Sequence, residues 1–476
     1  MGKKNRKIKT LCAKVPEFLE DDEHNIDWKG YIVKSNKYRY ILIKRLGHGS
    51  YSSVWLAYRL TNFKTARSVN NFFAIKIHNT TDVNAGETEL NVGKRLYESG
   101  VKNVMLPVDK FILVRKYEDK VLKHIGIVMK LMACSTYDLI NKTDYAKTNG
   151  LPVDFVISTL KCCLESLEKL HSNDMIHSDI KPENILVNGT TKSLDELTSK
   201  ILKKDTHLSL MKFINKIDPE INTSSDESSE SESESDDESL ENESADSAVD
   251  IESSDSDDDD DDDESDSNSG KNESRKSDKL EIDPKFIQKP ETFITDMGTC
   301  IMDNKKRRKY IQTRYYRSPE VILRLGYTNK ADIWAMGCTV YEMLTGEIFI
   351  DPDEGLAEKR IKQLEIIMQK LGPFSKDMIN KSIYKSLYFT NDGRLRGIKE
   401  LKYDNTWEKL LINIINKLKS ESKPLNEDPE VVKKYNKLIE EKAYQLVEIL
   451  LSMLEYDTYK RKNANDLLKS PVFKLQ

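Results

Sequence analysis

Three side chains suited to one kind of chemistry stand close together in the stretch Ile176–Val187: Asp179, Lys181 and Asn184. Phosphoryl transfer needs a carboxylate that accepts the proton of the attacking hydroxyl, a cation near the transferred group and a ligand for a metal ion. The three residues supply these functions in that order. We therefore predict Asp179 and Lys181 as catalytic residues and Asn184 as a metal ligand. A solvated turn between two strands is the alternative interpretation.

A segment with two glycines lies between two predicted strands upstream, and its sequence is Gly47-His48-Gly49-Ser50-Tyr51-Ser52-Ser53-Val54. Glycine lets a backbone approach phosphates closely and point its N–H groups at them. The pattern predicts a phosphate-binding turn, and an ordinary hairpin turn is the alternative. The residues assigned to the nucleotide site here are Leu46, Gly47, His48, Gly49, Ser50, Tyr51, Ser52, Ser53 and Val54.

A lysine interrupts the apolar strand-like run Phe73-Ala74-Ile75-Lys76. Burial of an ammonium group is unfavourable unless the charge is paired, so Lys76 needs a carboxylate partner. We predict Glu89 as that partner, with Glu87 as the second choice. A lysine on an edge strand that extends its ammonium into water is the other interpretation.

Further short motifs follow in a fixed order: Thr295-Asp296-Met297-Gly298, Ser318-Pro319-Glu320, Ala331-Asp332-Ile333-Trp334 and the late Arg461. Together with the segments above, they resemble the protein kinase superfamily. The resemblance implies that Lys76 binds the phosphates of ATP and that Asp296 binds Mg²⁺ with Asn184. It also implies a Glu320–Arg461 ion pair, and that Asp332 braces the backbone around Asp179. Lys181, two residues after Asp179, is typical of serine/threonine kinases.

The chain also resembles the SR-protein kinase family of the CMGC group. His124–Ile140 is similar to that family's hinge, with Met129 as gatekeeper and Lys130–Met132 facing adenine. Ile311–Ser318, which contains Thr313 and Arg317, resembles its substrate-binding segment, and Phe349–Phe374 with Phe389–Trp407 resembles its helical insert. The resemblance implies ATP and Mg²⁺ as cofactors and a protein substrate that we expect to be rich in Arg and Ser.

The expected fold is the α+β bilobal kinase fold, with a small β-rich N-lobe and a large helical C-lobe. Strand patterns cover 40–46, 53–59, 72–78, 111–115 and 123–131, and helical spacing of apolar residues covers Pro152–His171. The predicted domains are an N-terminal tail (1–27), a first kinase part (28–188), a disordered acidic insert (189–285) and a second kinase part (286–476). We expect at most one helix in the insert, within 189–217.

The acidic insert has the most unusual composition of the chain. Residues 226–266 contain 23 Asp and Glu and neither Lys nor Arg, so the remainder carries a net charge of about +18. Such a composition predicts a disordered spacer, because it cannot bury enough apolar surface to form a core. The alternatives are a reversible ligand for the basic body, a binding site for basic partners or a target of acidophilic kinases.

Several function classes are disfavoured by composition. No apolar run reaches the roughly 18 residues that a membrane helix needs, and the six cysteines fit no zinc pattern. We expect an intracellular monomer, in the cytoplasm or nucleus or both, with neither membrane association nor direct nucleic-acid binding. A catalytically dead kinase-like scaffold would lack Lys76, Asp179, Asn184 or Asp296, and all four are present. A module in which the acidic insert binds basic proteins is the other alternative.

Two further expectations concern substrate and regulation. Asp351, Asp353, Glu354 and Glu358 could hold a basic peptide, although a solvated acidic helix start explains them equally well. Ser178 stands where many kinases have an arginine that binds a phosphate on the activation segment, so we predict activity without such a phosphate. The basic run Lys305–Lys309 could still receive one, and is otherwise an exposed loop or a nuclear-import signal.

Overall fold

The computed structural model describes residues 26–49, 51–60, 68–117, 120–143, 146, 149–217, 279–302, 310–352 and 359–474. Several regions named above lie outside the described residues: most of the tail, Ser50, most of the acidic insert (218–278), Lys305–Lys309, and the acidic residues Asp353, Glu354 and Glu358.

The N-terminal part forms an antiparallel sheet of six strands in the order β1-β2-β3-β4-β6-β5. Because side chains alternate along a strand, the sheet has two faces. Leu42, Trp55 and Ile75 lie in the core on one face, whereas Lys76 and its register partner Val54 lie on the other. The strands are β1 (Ile32–Lys34), β2 (Arg39–His48), β3 (Ser52–Leu60), β4 (Phe72–His78), β5 (Asp109–Tyr117) and β6 (Lys120–Lys130).

Helix α1 (Val83–Glu98) packs across the face that carries Lys76. Its apolar residues Val83 and Leu90 contact a cluster on β6 that includes Ile127. The phase of the helix buries Glu89, with 3% of its surface exposed, and leaves Glu87 in solvent. Helix phase therefore selects which of the two candidate glutamates reaches the sheet.

The C-terminal part is helical around a single large core. Helix α3 (Val153–Ser172) has the predicted spacing, and Val156, Leu160 and Leu167 are buried against helix α8 (Lys330–Thr345). A small sheet consists of β7 (Cys134–Ser135), β8 (Ile185–Val187) and β9 (Thr292–Ile294). It pairs the strand that follows Asn184 with the strand that precedes Asp296. The other helices are α2 (Thr136–Lys142), α4 (Lys192–Leu202), α5 (Lys204–Ile217), α6 (Pro284–Gln288), α7 (Pro319–Ile322), α9 (Lys359–Leu371), α10 (Lys376–Lys381), α11 (Lys385–Tyr388), α12 (Thr406–Glu421), α13 (Pro429–Met453) and α14 (Ala464–Leu467).

The range predicted as a disordered insert (189–285) needs correction at both ends. Helices α4 and α5 occupy 192–217, two helices where at most one was expected, and α6 begins at Pro284. Met211 and Ile214 of α5 are buried against Leu56 and Tyr58 of β3. The few apolar residues of 192–217 are spaced at helical intervals, so they form a buried face. The high average polarity of this stretch concealed that face in the sequence.

The predicted α+β architecture is present, with a β-rich N-terminal part and a helical C-terminal part. The folded body begins slightly earlier than expected, because Ile26 is buried beside Trp28 in the N-terminal core. Within the described parts of the chain, the helices include none that is long and apolar enough to cross a membrane.

Candidate active site

The backbone around Asp179 is held by Asp332 of helix α8. Asp332 is fully buried, and its carboxylate accepts hydrogen bonds from the backbone N–H groups of His177 (2.8 Å) and Ser178 (2.9 Å). Ser178 has a φ of 69°, a left-handed conformation that non-glycine residues rarely adopt without compensating contacts. The two bonds to Asp332 supply such contacts, so the brace expected from the sequence is present.

Three side chains converge on the carboxylate of Asp179. Asn184 donates to the backbone carbonyl of Asp179 (2.9 Å) and to its Oδ2 (3.2 Å), and the Lys181 ammonium lies 3.0 Å from Oδ2. Thr313 donates to Oδ1 through its hydroxyl (2.7 Å) and its backbone N–H (3.2 Å). Lys181 also donates to the Thr313 hydroxyl (2.9 Å). The arrangement presents a fixed carboxylate and an adjacent cation to a hydroxyl that enters from outside.

Lys76 forms a second charged centre with two carboxylates. Its Nζ lies 2.8 Å from Glu89 Oε2 and 2.6 Å from Asp296 Oδ1. Burial by itself would lower the pKa of Lys76, but Asp296 and Glu89 outweigh it and the pKa is raised. Burial would raise the pKa of Asp296, but the Lys76 ammonium lowers it to about 2. Lys76 and Asp296 are therefore both charged at neutral pH.

Asp296 is brought beside the Asp179 segment by backbone pairing. The N–H of Thr295 donates to the carbonyl of Asn184 (3.0 Å), and His177 Nε2 donates to the carbonyl of Thr295 (3.0 Å). Asp296 itself has a φ of 67°, which turns the chain sharply after β9. Residues separated by more than a hundred positions in sequence thus share one site.

The glycine segment lies at the turn between β2 and β3, as the hairpin interpretation predicts, and phosphate binding by this turn stays a prediction. Gly49 N–H donates to the carbonyl of Ser52 (2.9 Å). Leu46 and Tyr51 are exposed, and Ser53 is buried, accepting from the Trp55 indole (2.9 Å). Val54 lies on the same face of the sheet as Lys76, its partner in the register, whereas Gly47 and His48 end β2.

Apolar residues of the N-terminal sheet pack against residues of the small C-terminal sheet. Met129 and Met132 are buried in one cluster with Met105 and with the partly buried Leu186 and Phe293. Leu186 and Phe293 were not predicted, although Leu186 follows Asn184 by two residues and could have been found from that spacing.

The segment that contains Thr313 is anchored by buried polar contacts. Arg317 donates to the carbonyls of Ile311 (3.1 Å) and Gln312 (2.9 Å). Glu320 and Arg461, both almost completely buried, form a two-point ion pair at 2.6 and 2.9 Å. Gln312 was missed: it has a φ of 71°, donates to the carbonyl of Ala331 (2.8 Å) and accepts from the N–H of Ser318 (2.9 Å).

Comparison with known proteins agrees with this geometry. The family model of the protein kinase domain matches residues 40–213 and 286–473. This chain belongs to the protein kinase family. The serine/threonine-protein kinase SRPK of Physarum polycephalum is 27% identical over 95% of this chain and 92% of its own length. Protein kinase dsk1 of Schizosaccharomyces pombe is 26% identical (91% and 80%), and dual specificity protein kinase CLK1 of Mus musculus is 24% identical (96% and 70%).

The family and the relatives' names define the reaction as phosphoryl transfer from ATP to serine or threonine hydroxyls of proteins. Protein kinases use a divalent metal ion, generally Mg²⁺, which prefers oxygen ligands and commonly takes one or two carboxylates besides the substrate's phosphates. The donor set fits such an ion: Asp296 carries an ionised carboxylate, and Asn184 donates through its amide nitrogen to Asp179, so its amide oxygen is available as a ligand.

Proposed function

We propose that this kinase phosphorylates serines flanked by arginine in basic protein substrates, with Asp179 and Lys76 at the centre of two cooperating charged groups. The observation that carries the proposal is the convergence of Asn184, Lys181 and Thr313 on the Asp179 carboxylate, next to the Lys76–Asp296 pair. Positioning and charge stabilisation account for most of the rate enhancement in phosphoryl transfer.

Each residue has a distinct task in this scheme. Asp179 orients the substrate hydroxyl and accepts its proton, while Lys181 balances charge that develops on the transferred group. Lys76, held by Glu89, binds phosphate oxygens of ATP beneath the turn at Gly47–Val54, and Met129 and Met132 face the adenine. Asn184 and Asp296 would hold Mg²⁺, and the ion would neutralise phosphate charge when bound.

The proposed substrate preference is supported by negative charge near the segment that contains Thr313. Tyr316 of this segment donates to the buried carboxyl of Glu342 (2.7 Å). Glu183 and Asp351 are exposed, and both lie near enough to Glu342 to raise its pKa. An arginine side chain of a substrate would be attracted to this region and could form charge-assisted hydrogen bonds there. The relative from Physarum is itself named SRPK.

A peptide array with the purified full chain and Mg-ATP tests the substrate proposal. We expect kcat/KM to be at least about tenfold higher for serines flanked by arginine than for serines flanked by aspartate, a difference of about 1.4 kcal/mol. Asp351→Asn and Glu183→Gln should each reduce this preference. Glu440→Gln, which changes an exposed carboxylate on helix α13, is the matched control. Preference for acidic flanks, or indifference to arginine, would contradict the proposal.

A further inference from the structure

His78 is the last residue of strand β4 and follows Lys76 by two positions. Residues two apart on a strand share a face, so His78 is directed, like Lys76, towards helix α1. Its side chain is 2% exposed. A buried imidazole at this position is costly unless its polar atoms serve an interaction, because an unsatisfied buried donor loses its bonds to water.

The imidazole of His78 lies against Glu89. Its Nε2 is 3.3 Å from Glu89 Oε2, the same oxygen that Lys76 contacts at 2.8 Å. In the described part of the chain, neither ring nitrogen of His78 makes an aligned hydrogen bond, the contact with Glu89 included. The Glu89 carboxylate lies between two side chains of β4, and a proton on Nε2 that points at Oε2 would turn the 3.3 Å contact into a hydrogen bond.

The charge state of Glu89 agrees with this arrangement. Burial by itself would raise the pKa of Glu89, whereas Lys76 and then His78 act in the opposite direction, and the pKa is lowered. Glu89 is therefore ionised at neutral pH although it is almost completely buried.

The surroundings of His78 fix its ring beside α1. A Cβ atom at Gly86, one turn before Glu89, would lie 3.1 Å from His78 Cδ2 and 3.0 Å from the Cβ of Ile125, so glycine lets the helix approach the ring closely. The backbone carbonyl of His78 accepts a hydrogen bond from His124 Nδ1 (3.0 Å). Trp28 packs its ring edge-on against His124 at 5.5 Å.

We propose that His78 is a positioning residue of this kinase: its Nε2–H holds Glu89 against β4, so that Glu89 keeps Lys76 aligned for the phosphates of ATP. The inference rests on the proposed roles of Lys76 and Glu89. His78 acts through Glu89 and not on the substrate, so its removal should disturb the use of ATP and leave peptide binding unaltered.

Steady-state kinetics of the full chain with Mg-ATP and an arginine-flanked serine peptide test this role. His78→Leu, which removes the donor, should lower kcat/KM for ATP about tenfold and leave KM for the peptide within about twofold. In a Glu89→Gln background, the same change should cause no further loss, because two residues that act as a unit are not additive. Ile77→Val, on the opposite face of β4, is the control and should have the same small effect in both backgrounds.

The position of the donor gives a second test, which does not depend on whether the leucine variant folds. His78→Gln retains an N–H near the place of Nε2 and should keep kcat/KM within about threefold of wild type, whereas the shorter His78→Asn should lose about tenfold. An equal loss from His78→Leu with and without Glu89→Gln, or equal activity of the Gln and Asn variants, would overturn the inference. Full activity of both Lys76→Met and Glu89→Gln would instead overturn the proposed site itself.

Discussion

Charged residues of this kinase are buried in groups, and removal of one member affects its partners. Lys76 and Glu89 are each more than nine-tenths buried, and deletion of one partner of a buried ion pair commonly costs about 3–5 kcal/mol. Asp179 is less buried, with 18% of its side chain exposed, so its carboxylate can be removed with less effect on stability. Activity and folding must therefore be measured together for variants of this site.

Asp179→Ala and Lys76→Met should each reduce kcat/KM by orders of magnitude, because they remove the proton acceptor and the phosphate-binding cation. The readout is phosphate transfer from labelled ATP to a peptide, with circular dichroism and Tm to establish that each variant is folded. Glu440→Gln serves as the control variant. If either folded variant retained more than about a tenth of wild-type kcat/KM, a loss below about 1.4 kcal/mol, the assigned roles would be wrong.

Glu342 makes the stability of the kinase depend on pH. Burial raises the pKa of Glu342 to about 7 from an unfolded value of 4.5, although the Tyr316 hydroxyl lowers it. The folded state therefore binds more protons than the unfolded state between these values, and this residue's contribution to stability falls as pH rises from about 5 to about 8.

Glu342→Gln should remove that dependence, because the amide is uncharged and can still accept the Tyr316 hydrogen bond. We expect the free energy of unfolding of the variant, relative to wild type, to increase by about 2 kcal/mol between pH 5 and pH 8. Urea denaturation at the two pH values measures it. Glu440→Gln, at an exposed site, should show no such difference, and the same absence in Glu342→Gln would contradict the prediction.

At the scale of elements, the described parts of the segment between β9 and α7 (295–302 and 310–318) make several contacts within the protein. The Ser178 hydroxyl donates a hydrogen bond to the backbone carbonyl of Thr299 (2.8 Å). This neutral bond stands where many kinases have an arginine, whose positive charge needs a phosphate as its partner. Thr313 already contacts Asp179, and Ser318 is fully buried, so a phosphate on either residue would disrupt these contacts. Tyr316 and the Glu320–Arg461 pair anchor the end of the segment.

We therefore expect the kinase to be active without phosphorylation of this segment. Enzyme treated with phosphatase should keep its initial rate when it is assayed before it can phosphorylate itself, and mass spectrometry should show that the segment carries no phosphate. Mock-treated enzyme is the control. A decrease of about tenfold or more that is recovered by preincubation with Mg-ATP would show that the segment needs a phosphate.

At the scale of the whole molecule, the predicted insert has two parts that differ in their contribution to the fold. Helices α4 and α5 place Leu194, Ile201 and Met211 against the N-terminal sheet, beside Leu56 and Phe72. Residues 222–278 are instead dominated by Ser, Asp and Glu and contain few apolar residues to bury. The boundary between the part that contributes to the stability of the fold and the acidic part therefore lies near Ile217 and not near Gly189.

Replacement of 222–278 by a short Gly/Ser linker should leave a folded, active kinase, since closing a loop of different length changes the free energy only slightly. Replacement of 192–278 should lower Tm and favour aggregation, because it exposes the apolar side chains that α4 and α5 cover. Thermal unfolding and size-exclusion chromatography distinguish the two variants. Inactivity of the first variant, or equal Tm values for the two, would contradict this division.

The sequence alone named the side chains that the structure brings together around Asp179 and Lys76, because phosphoryl transfer restricts residue types at fixed spacing within short segments. Asp179, Lys181 and Asn184 lie on one loop, and their local order already constrains their mutual geometry. The strands around Lys76 and helix α3 were also predictable, since their apolar spacing reflects a single buried face. The sequence indicated at most one helix within 189–217 where α4 and α5 are both present, because their apolar residues are few and find their buried partners only on the distant N-terminal sheet.

Tertiary structure decided the contacts between residues that are distant in sequence. Thr313 reaches Asp179 because the segment before α7 folds back over the loop that contains Asp179. The spacing of residues along the chain does not indicate this contact. The phase of α1 selects Glu89 over Glu87, and the packing of α1 on β4 adds His78 to the pair. Local sequence thus specifies which groups are available for chemistry, whereas long-range packing sets which of them meet, because such contacts depend on the arrangement of whole elements.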